Sequence, residues 1–261
     1  MQIIDGKKIS EEIKEELKER GAPETFMAAV MVGEDPASVK FVERKKKFSE
    51  SIGAEFKLFK AGAESTMEDM ETMVKYLAHD SECGGIMIQL PLPSYMDREK
   101  IFDLITEDKD VDAMKGAGKV FSPAALTVEE ILKREAIDVA KTTIAVVGHG
   151  FLVGRPVAER FGPICRKLII IDKGDDIGVI READVVVLGV GERGIIKSGA
   201  LKNDAVVIDF GCSLAEDGKV CGDLDIDGLE DTDVRYTPTP GGTGPILVAK
   251  LFENFYKLNG R

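Results

Sequence analysis

Apolar residues along this chain fall into short runs of strand length, and the stretches between them carry helical spacing. "FMAAVMVG" (26–33) is the first such run. A helix is predicted from Pro36 to about Ile52, with Asp35 as its N-cap and Pro36 in its first turn. "AEFKLFKA" (54–61) alternates as a strand does, a helix follows over about 66–78, and "GGIMIQL" (84–90) is the next strand. Pro91 and Pro93 stop it, because proline cannot donate to a ladder. A helix over about 97–105 completes the order βαβαβα, the signal for a parallel sheet covered on both faces. "EDKDVDAMKGAGK" (107–119) is polar and glycine-bearing and reads as a linker. A helix near 127–135 leads to a second series of strands, "TIAVVG" (143–148), "KLIIID" (167–172), "DVVVLGV" (184–190) and "AVVIDF" (205–210). These are nearly uninterrupted Val, Ile and Leu, as strands buried on both faces require. A last helix over 246–258 sets Val248, Leu251, Phe252 and Phe255 on one face. That face needs a partner, and the expectation is that the helix returns to the first domain. The expected domains are therefore 1–118 with 243–261, and 119–242, with a cleft between them.

Composition narrows the function classes. A chain of 261 residues can bury a large core in one or two domains. Its net charge of −12 argues against non-specific binding to nucleic acid or to an anionic membrane. The cysteines, Cys83, Cys165, Cys212 and Cys221, have no CxxC or short His spacing, so neither a disulfide framework nor a metal site is expected, and a reducing cytoplasm fits. No stretch approaches the ~20 apolar residues of a membrane span.

The strongest local motif is "IAVVGHGFLVGRPVAERF" (144–161). It places Gly148, Gly150 and Gly154 at a strand-to-helix turn, one residue longer than the usual dinucleotide fingerprint. Glycine there lets backbone approach a pyrophosphate at the positive end of a helix. Asp172 and Lys173 end the next strand, where such folds read the adenosine ribose, and His149 is a further phosphate partner. An acid favours the free hydroxyl of NAD and a cation the phosphate of NADP; both are offered. The fold class expected is thus α/β, with two α/β lobes, the second a Rossmann-like dinucleotide-binding domain, and an active site in the interlobe cleft.

A second candidate lies in "SVKFVERKKKF" (38–48). At ~100° per residue, Ala37, Phe41, Phe48 and Ile52 share a direction taken as the apolar face. Lys40, Lys46 and Lys47 point away from it as solvated charges, whereas Lys45 falls inside it. The plain reading is a stem that buries itself and an ammonium that reaches water. The sharper one is a desolvated lysine able to transfer protons near neutrality. Gln89 ends an apolar strand at the edge where open α/β sheets bind ligands, and Asp112 is one of several acids in the linker.

Taken in order, "VGEDPASVKFVERKKK", "GGIMIQLPLP", "DKDVDA", "VVGHGFLVGRPVA", "ADVVVLGVG", "VVIDFG", "GKVCGDLD" and "TPTPGGTGPILVAKLFEN" resemble the bifunctional methylenetetrahydrofolate dehydrogenase/cyclohydrolase family over nearly the whole chain. The resemblance implies that Lys45 is the lysine of the family's Tyr-x-x-x-Lys, with Phe41 in place of the tyrosine. It implies catalytic roles for Lys45, Gln89 and Asp112, and folate contacts from Phe41, Gln89, Asp112 and the loop Pro240, Gly241 and Gly242. Dinucleotide contacts would come from Gly148, His149, Gly150, Gly154, Asp172 and Lys173, with Gly211 and Cys212 near the nicotinamide. The implied reaction oxidises 5,10-methylenetetrahydrofolate with NADP, NAD being possible, and hydrolyses the methenyl product to 10-formyltetrahydrofolate. A homodimer in the cytoplasm, serving one-carbon metabolism and purine biosynthesis, is also implied. Two departures stand out: Phe41 lacks a hydroxyl, and "SPAALT" (122–127) replaces the family's Pro-Cys-Thr-Pro after a shortened segment. The alternatives are another nicotinamide-dependent dehydrogenase, such as one acting on amino acids, a dinucleotide-binding protein without catalysis, and a dehydrogenase lacking only the hydrolase step.

Overall fold

The computed structural model describes residues 1–116, 118–215 and 218–261; Ala117, within the expected linker, and Glu216 and Asp217 lie outside the described residues. In chain order the elements are β1 (Gln2–Ile3), α1 (Gly6–Arg20), β2 (Phe26–Val32), α2 (Pro36–Ser51), β3 (Phe56–Ala61), α3 (Met67–His79), β4 (Cys83–Ile88) and α4 (Arg98–Asp103). There follow α5 (Pro123–Arg134), β5 (Thr143–Val147), α6 (Gly154–Phe161), β6 (Lys167–Ile171), β7 (Val185–Leu188), β8 (Val206–Asp209), β9 (Ser213–Leu214), β10 (Val220–Cys221), β11 (Arg235–Tyr236) and α7 (Thr243–Leu258). Two compact units emerge, Glu11–Pro123 with Val248–Arg261, and Met1–Ser10 with Ala124–Leu247.

The first unit is built on a parallel sheet in the order β3-β2-β4. Every residue of β2 and β4 is buried, which is why both read as unbroken apolar runs. Local chemistry starts the helices: Asp35 accepts the Ser38 N–H at 2.8 Å to cap α2, and Thr66 with Asp69 forms a capping box on α3. Residues 107–116 are not a free linker. The Ile86 N–H donates to the Lys109 carbonyl at 2.7 Å, and Asp110 forms an isolated parallel bridge with Ile86, alongside β4. Lys109 Nζ donates to the Leu77, Ala78 and Asp80 carbonyls, satisfying the open end of α3. From α7, Asn254 Nδ2 donates to the Val111 and Phe121 carbonyls at 2.8 Å each, and Phe252 stacks on Phe48 with centroids 5.3 Å apart.

The second unit holds a six-stranded parallel sheet in the order β1-β11-β8-β7-β5-β6. β5 and β7 are adjacent, while β6 lies on the other side of β5, so the order reverses at β5. In open α/β sheets, ligands sit at such a reversal, beyond the carboxyl ends of the strands. A small antiparallel pair, β9 with β10, is attached. The amino-terminal residues, expected in the first domain, group with this unit because β1 pairs with β11.

Candidate active site

The first unit gathers Lys45, Gln89 and Asp112. The face of α2 that buries overlaps the expected one only in part, since Ile52 is buried and Phe48 half-buried. Ala37 is exposed and Phe41 is 42% exposed, while the buried line runs through Ser38, Val42 and Ser49. Serine can take core positions on a helix because its hydroxyl is satisfied within it, as Ser49 Oγ is by the Lys46 carbonyl at 2.8 Å. Lys45 borders this line, and its Nζ donates to Gln89 Oε1 at 3.1 Å. Gln89 follows β4 and is 8% exposed. Its N–H donates to the Val30 carbonyl and its Nε2 to the Leu90 carbonyl at 2.7 Å. With the amide nitrogen so engaged, the amide oxygen is left facing the lysine.

Charge couples this pair to Asp112. Burial pushes the Lys45 pKa below its ordinary value, and the Asp112 charge partly restores it. Burial raises Asp112 to about 6, against the pull of Lys45 and with the push of Asp110. Asp110 is a residue the sequence reading passed over. It is 5% exposed, burial raises its own pKa, and its Oδ1 is a buried oxygen without a hydrogen-bond partner among the described residues. Its one sequence signal is its place two residues before Asp112. Phe41, one turn before Lys45, carries the Arg44 guanidinium 5.6 Å from its ring centroid. The arrangement is a desolvated amine with a fixed acceptor and a nearby carboxylate that titrates close to neutrality, which suits proton transfer.

The second unit gathers the glycine loop. A side chain at Gly154 would overlap the Gly148 carbonyl oxygen, and Gly148 itself has φ +86°. The turn between β5 and α6 therefore closes only with glycine at both positions. His149 and Gly150 are exposed at its tip, and the Arg155 N–H donates to the Gly150 carbonyl at 3.0 Å. Asp172 and Lys173, also exposed, follow β6, and the Lys173 N–H donates to Asp172 Oδ1 at 2.9 Å. Beyond β8, Gly211 is buried and Cys212 exposed. Gly242 is packed so that a side chain at Gly6 would overlap its carbonyl; Gly241 has φ +105° and Pro240 is exposed. The loop Pro240–Gly242 thus belongs to the same unit as the glycine loop, apart from the unit holding Lys45.

Two buried carboxylates here were also missed. Asp209 accepts the Gly211 and Leu224 N–H groups at 2.7 and 3.0 Å, and burial raises its pKa to about 6. Asp223 is wholly buried and accepts the N–H groups of Val190, Gly191 and Glu192. The signal was an acid closing each of "VVID" and "GD", but nothing in one dimension says that such an acid folds inward.

Comparison with known proteins bears on both units. The catalytic-domain model of tetrahydrofolate dehydrogenase/cyclohydrolase matches residues 4–112, and the NAD(P)-binding-domain model of the same family matches residues 122–261. The chain is 33% identical to the bifunctional protein FolD of Agathobacter rectalis over 97% of this chain and 96% of that one. It is also 33% identical to the FolD protein of Bacillus subtilis, over 98% of this chain and 96% of that one. The crystal structure of the bifunctional methylenetetrahydrofolate dehydrogenase/cyclohydrolase FolD from Campylobacter jejuni superposes with a TM-score of 0.94 at 30% identity, covering 100% of this chain and 99% of that one.

Proposed function

This chain belongs to the tetrahydrofolate dehydrogenase/cyclohydrolase family, and from that premise we propose how its residues divide the work. The enzyme oxidises 5,10-methylenetetrahydrofolate to the 5,10-methenyl form and hydrolyses this to 10-formyltetrahydrofolate. A nicotinamide dinucleotide, when bound, accepts the hydride of the first reaction. Gly148, His149, Gly150 and Gly154 would hold its phosphates: backbone there is uncovered by side chains, and the positive end of α6 adjoins it. Asp172 and Lys173 would meet the adenosine ribose, and Gly211 and Cys212 the nicotinamide. NADP is the proposed cofactor, with NAD possible.

The observation that carries the hydrolytic half is the 3.1 Å bond from Lys45 Nζ to Gln89 Oε1. Water attacks the cationic methenyl carbon and must lose a proton as it does so; the adduct then opens by breaking its carbon–N5 bond, N5 taking the hydroxyl proton as the formyl carbonyl forms, so that one proton is released overall. Lys45 takes up that proton at Nζ, where burial favours the neutral amine over the ammonium. Gln89 holds Nζ in place by accepting from it. The Asp112 carboxylate accepts from the N–H edge of the pterin, which fixes the ring. Phe41 offers a face to the aminobenzoyl ring, and Pro240, Gly241 and Gly242 border the folate.

Lys45→Met keeps the apolar stem and removes the amine. It should lower methenyl hydrolysis by at least 100-fold, on the scale of a lost general base, while reduced-dinucleotide formation persists. Hydrolysis at the wild-type rate would remove Lys45 from the mechanism. Running that assay with NADP⁺ and NAD⁺ in parallel decides cofactor choice. The family likeness also supports a homodimer in the cytoplasm, in one-carbon metabolism that feeds purine biosynthesis; light scattering of the purified chain tests the dimer.

A further inference from the structure

We propose that Asp223 is a positioning residue for the dinucleotide, acting through the loop that follows β7. The proposal rests on the reading that this unit binds a nicotinamide dinucleotide. Its carboxylate is wholly buried, yet it is spent on backbone of a loop that is itself exposed. Oδ2 accepts from Val190 N–H at 2.7 Å and from Gly191 N–H at 3.1 Å, and Oδ1 accepts from Glu192 N–H at 2.8 Å. Consecutive N–H groups converging on one carboxylate fix the path of the chain there, and charge-assisted bonds of this kind are the stronger ones.

The pinned loop borders the glycine turn. A Cβ on Gly148 would lie 2.8 Å from the Gly189 carbonyl oxygen and 3.1 Å from Val190 Cγ2, so the two loops already touch. They leave the carboxyl ends of β5 and β7, the neighbours at which the strand order reverses. Gly211, after β8, also lies so close to this carboxylate that any side chain there would overlap it. Asp223 is thus wedged between the loops after β7 and β8, and through the first it bears on the loop after β5. Val190, 41% exposed and apolar at that edge, is the surface this wedge presents. Losing the wedge lets the loop drift from the place a dinucleotide needs, without touching Lys45, Gln89 or Asp112.

Asp223→Asn is nearly isosteric but has one acceptor oxygen, so either the Val190 and Gly191 donors or the Glu192 donor would face an amide N–H₂. Calorimetric titration of the full-length variant should show NADP⁺ affinity weaker by about tenfold, the loss expected from one or two charge-assisted bonds. The dinucleotide KM should rise in step, with kcat of the dehydrogenase and dinucleotide-free methenyl hydrolysis both within about twofold of wild type. Affinity within twofold of wild type in a folded variant overturns the proposal, as does an equal fall in both activities, which would mark a purely structural role. If Asp223→Asn does not fold, Glu192→Pro deletes one donor at an exposed position and leaves the carboxylate in place. It should weaken dinucleotide affinity in the same direction, and unchanged affinity again overturns the idea. Wild-type protein that binds neither NADP⁺ nor NAD⁺ would sink the underlying reading as well, and the wild-type titration tells that failure from the others.

Discussion

Burial of single carboxyl groups sets two pH responses. Asp112 is raised from 3.8 to about 6, so it is a carboxylate above that pH and a neutral acid below it. Only the carboxylate has all its lone pairs free to accept from the pterin. The kcat/KM for methylenetetrahydrofolate should therefore fall as pH drops through about 6, toward tenfold per unit, and Asp112→Asn should flatten that limb at a lower level. A limb that survives the substitution would assign it elsewhere. Asp209 is likewise raised from 3.8 to about 6, but its effect is on stability. The folded chain holds that proton more tightly than the unfolded one. Its contribution is thus fully present below 3.8 and is lost as pH climbs through about 6. Urea unfolding of Asp209→Asn against wild type, from pH 4 to pH 7, should show their difference moving in the variant's favour by up to about 3 kcal/mol, whatever fixed cost the lost acceptor brings. A pH-independent difference would mean Asp209 titrates normally. Of these residues, the sequence singled out Asp112 only through resemblance, because seven residues of linker carry several acids and no spacing rule separates the one that folds inward. Lys45 was separable by helical angle, though the face it borders is lined by serines that a hydrophobic count ignores.

Elements with their own local signals were legible, and those made by pairing were not. The long strands β2, β4, β5 and β7 announced themselves as apolar runs, and α2 by its Asp35–Pro36 start. α5 begins at Pro123, several residues before the expected start near 127, because proline suits the first helical turn. β1 and β11 are two-residue strands whose partner is each other and β8, so no window of sequence contains their cause. The glycine turn is an element whose sequence and geometry agree, and it makes a sharp prediction. In Gly154→Ala the new methyl meets the Gly148 carbonyl, which is backbone and cannot rotate away. The turn must open, and dinucleotide affinity should fall by at least tenfold while methenyl hydrolysis continues, as measured by titration and by loss of methenyl absorbance. Normal affinity in this variant would show that the closed turn is not what the dinucleotide needs.

At the scale of the whole chain, the division into two units falls inside α1 and α7, since Ser10 and Leu247 end one unit and Glu11 and Val248 begin the other. A helix cut in its interior loses the hydrogen bonds that propagate it, and short helical stubs are not stable alone. Continuity of the chain through these two helices predicts that the units open together, each having its own sheet. Ligand binding tests this. A dinucleotide at 100 times its Kd stabilises the form that binds it by about 2.7 kcal/mol. If the chain opens as one, native-state hydrogen exchange should slow by that amount both at amides of β5 and β7, in the unit with the glycine loop, and at amides of β2 and β4, in the unit with Lys45. A gain confined to β5 and β7 would mean that the helices fray at the boundary and that the units unfold separately.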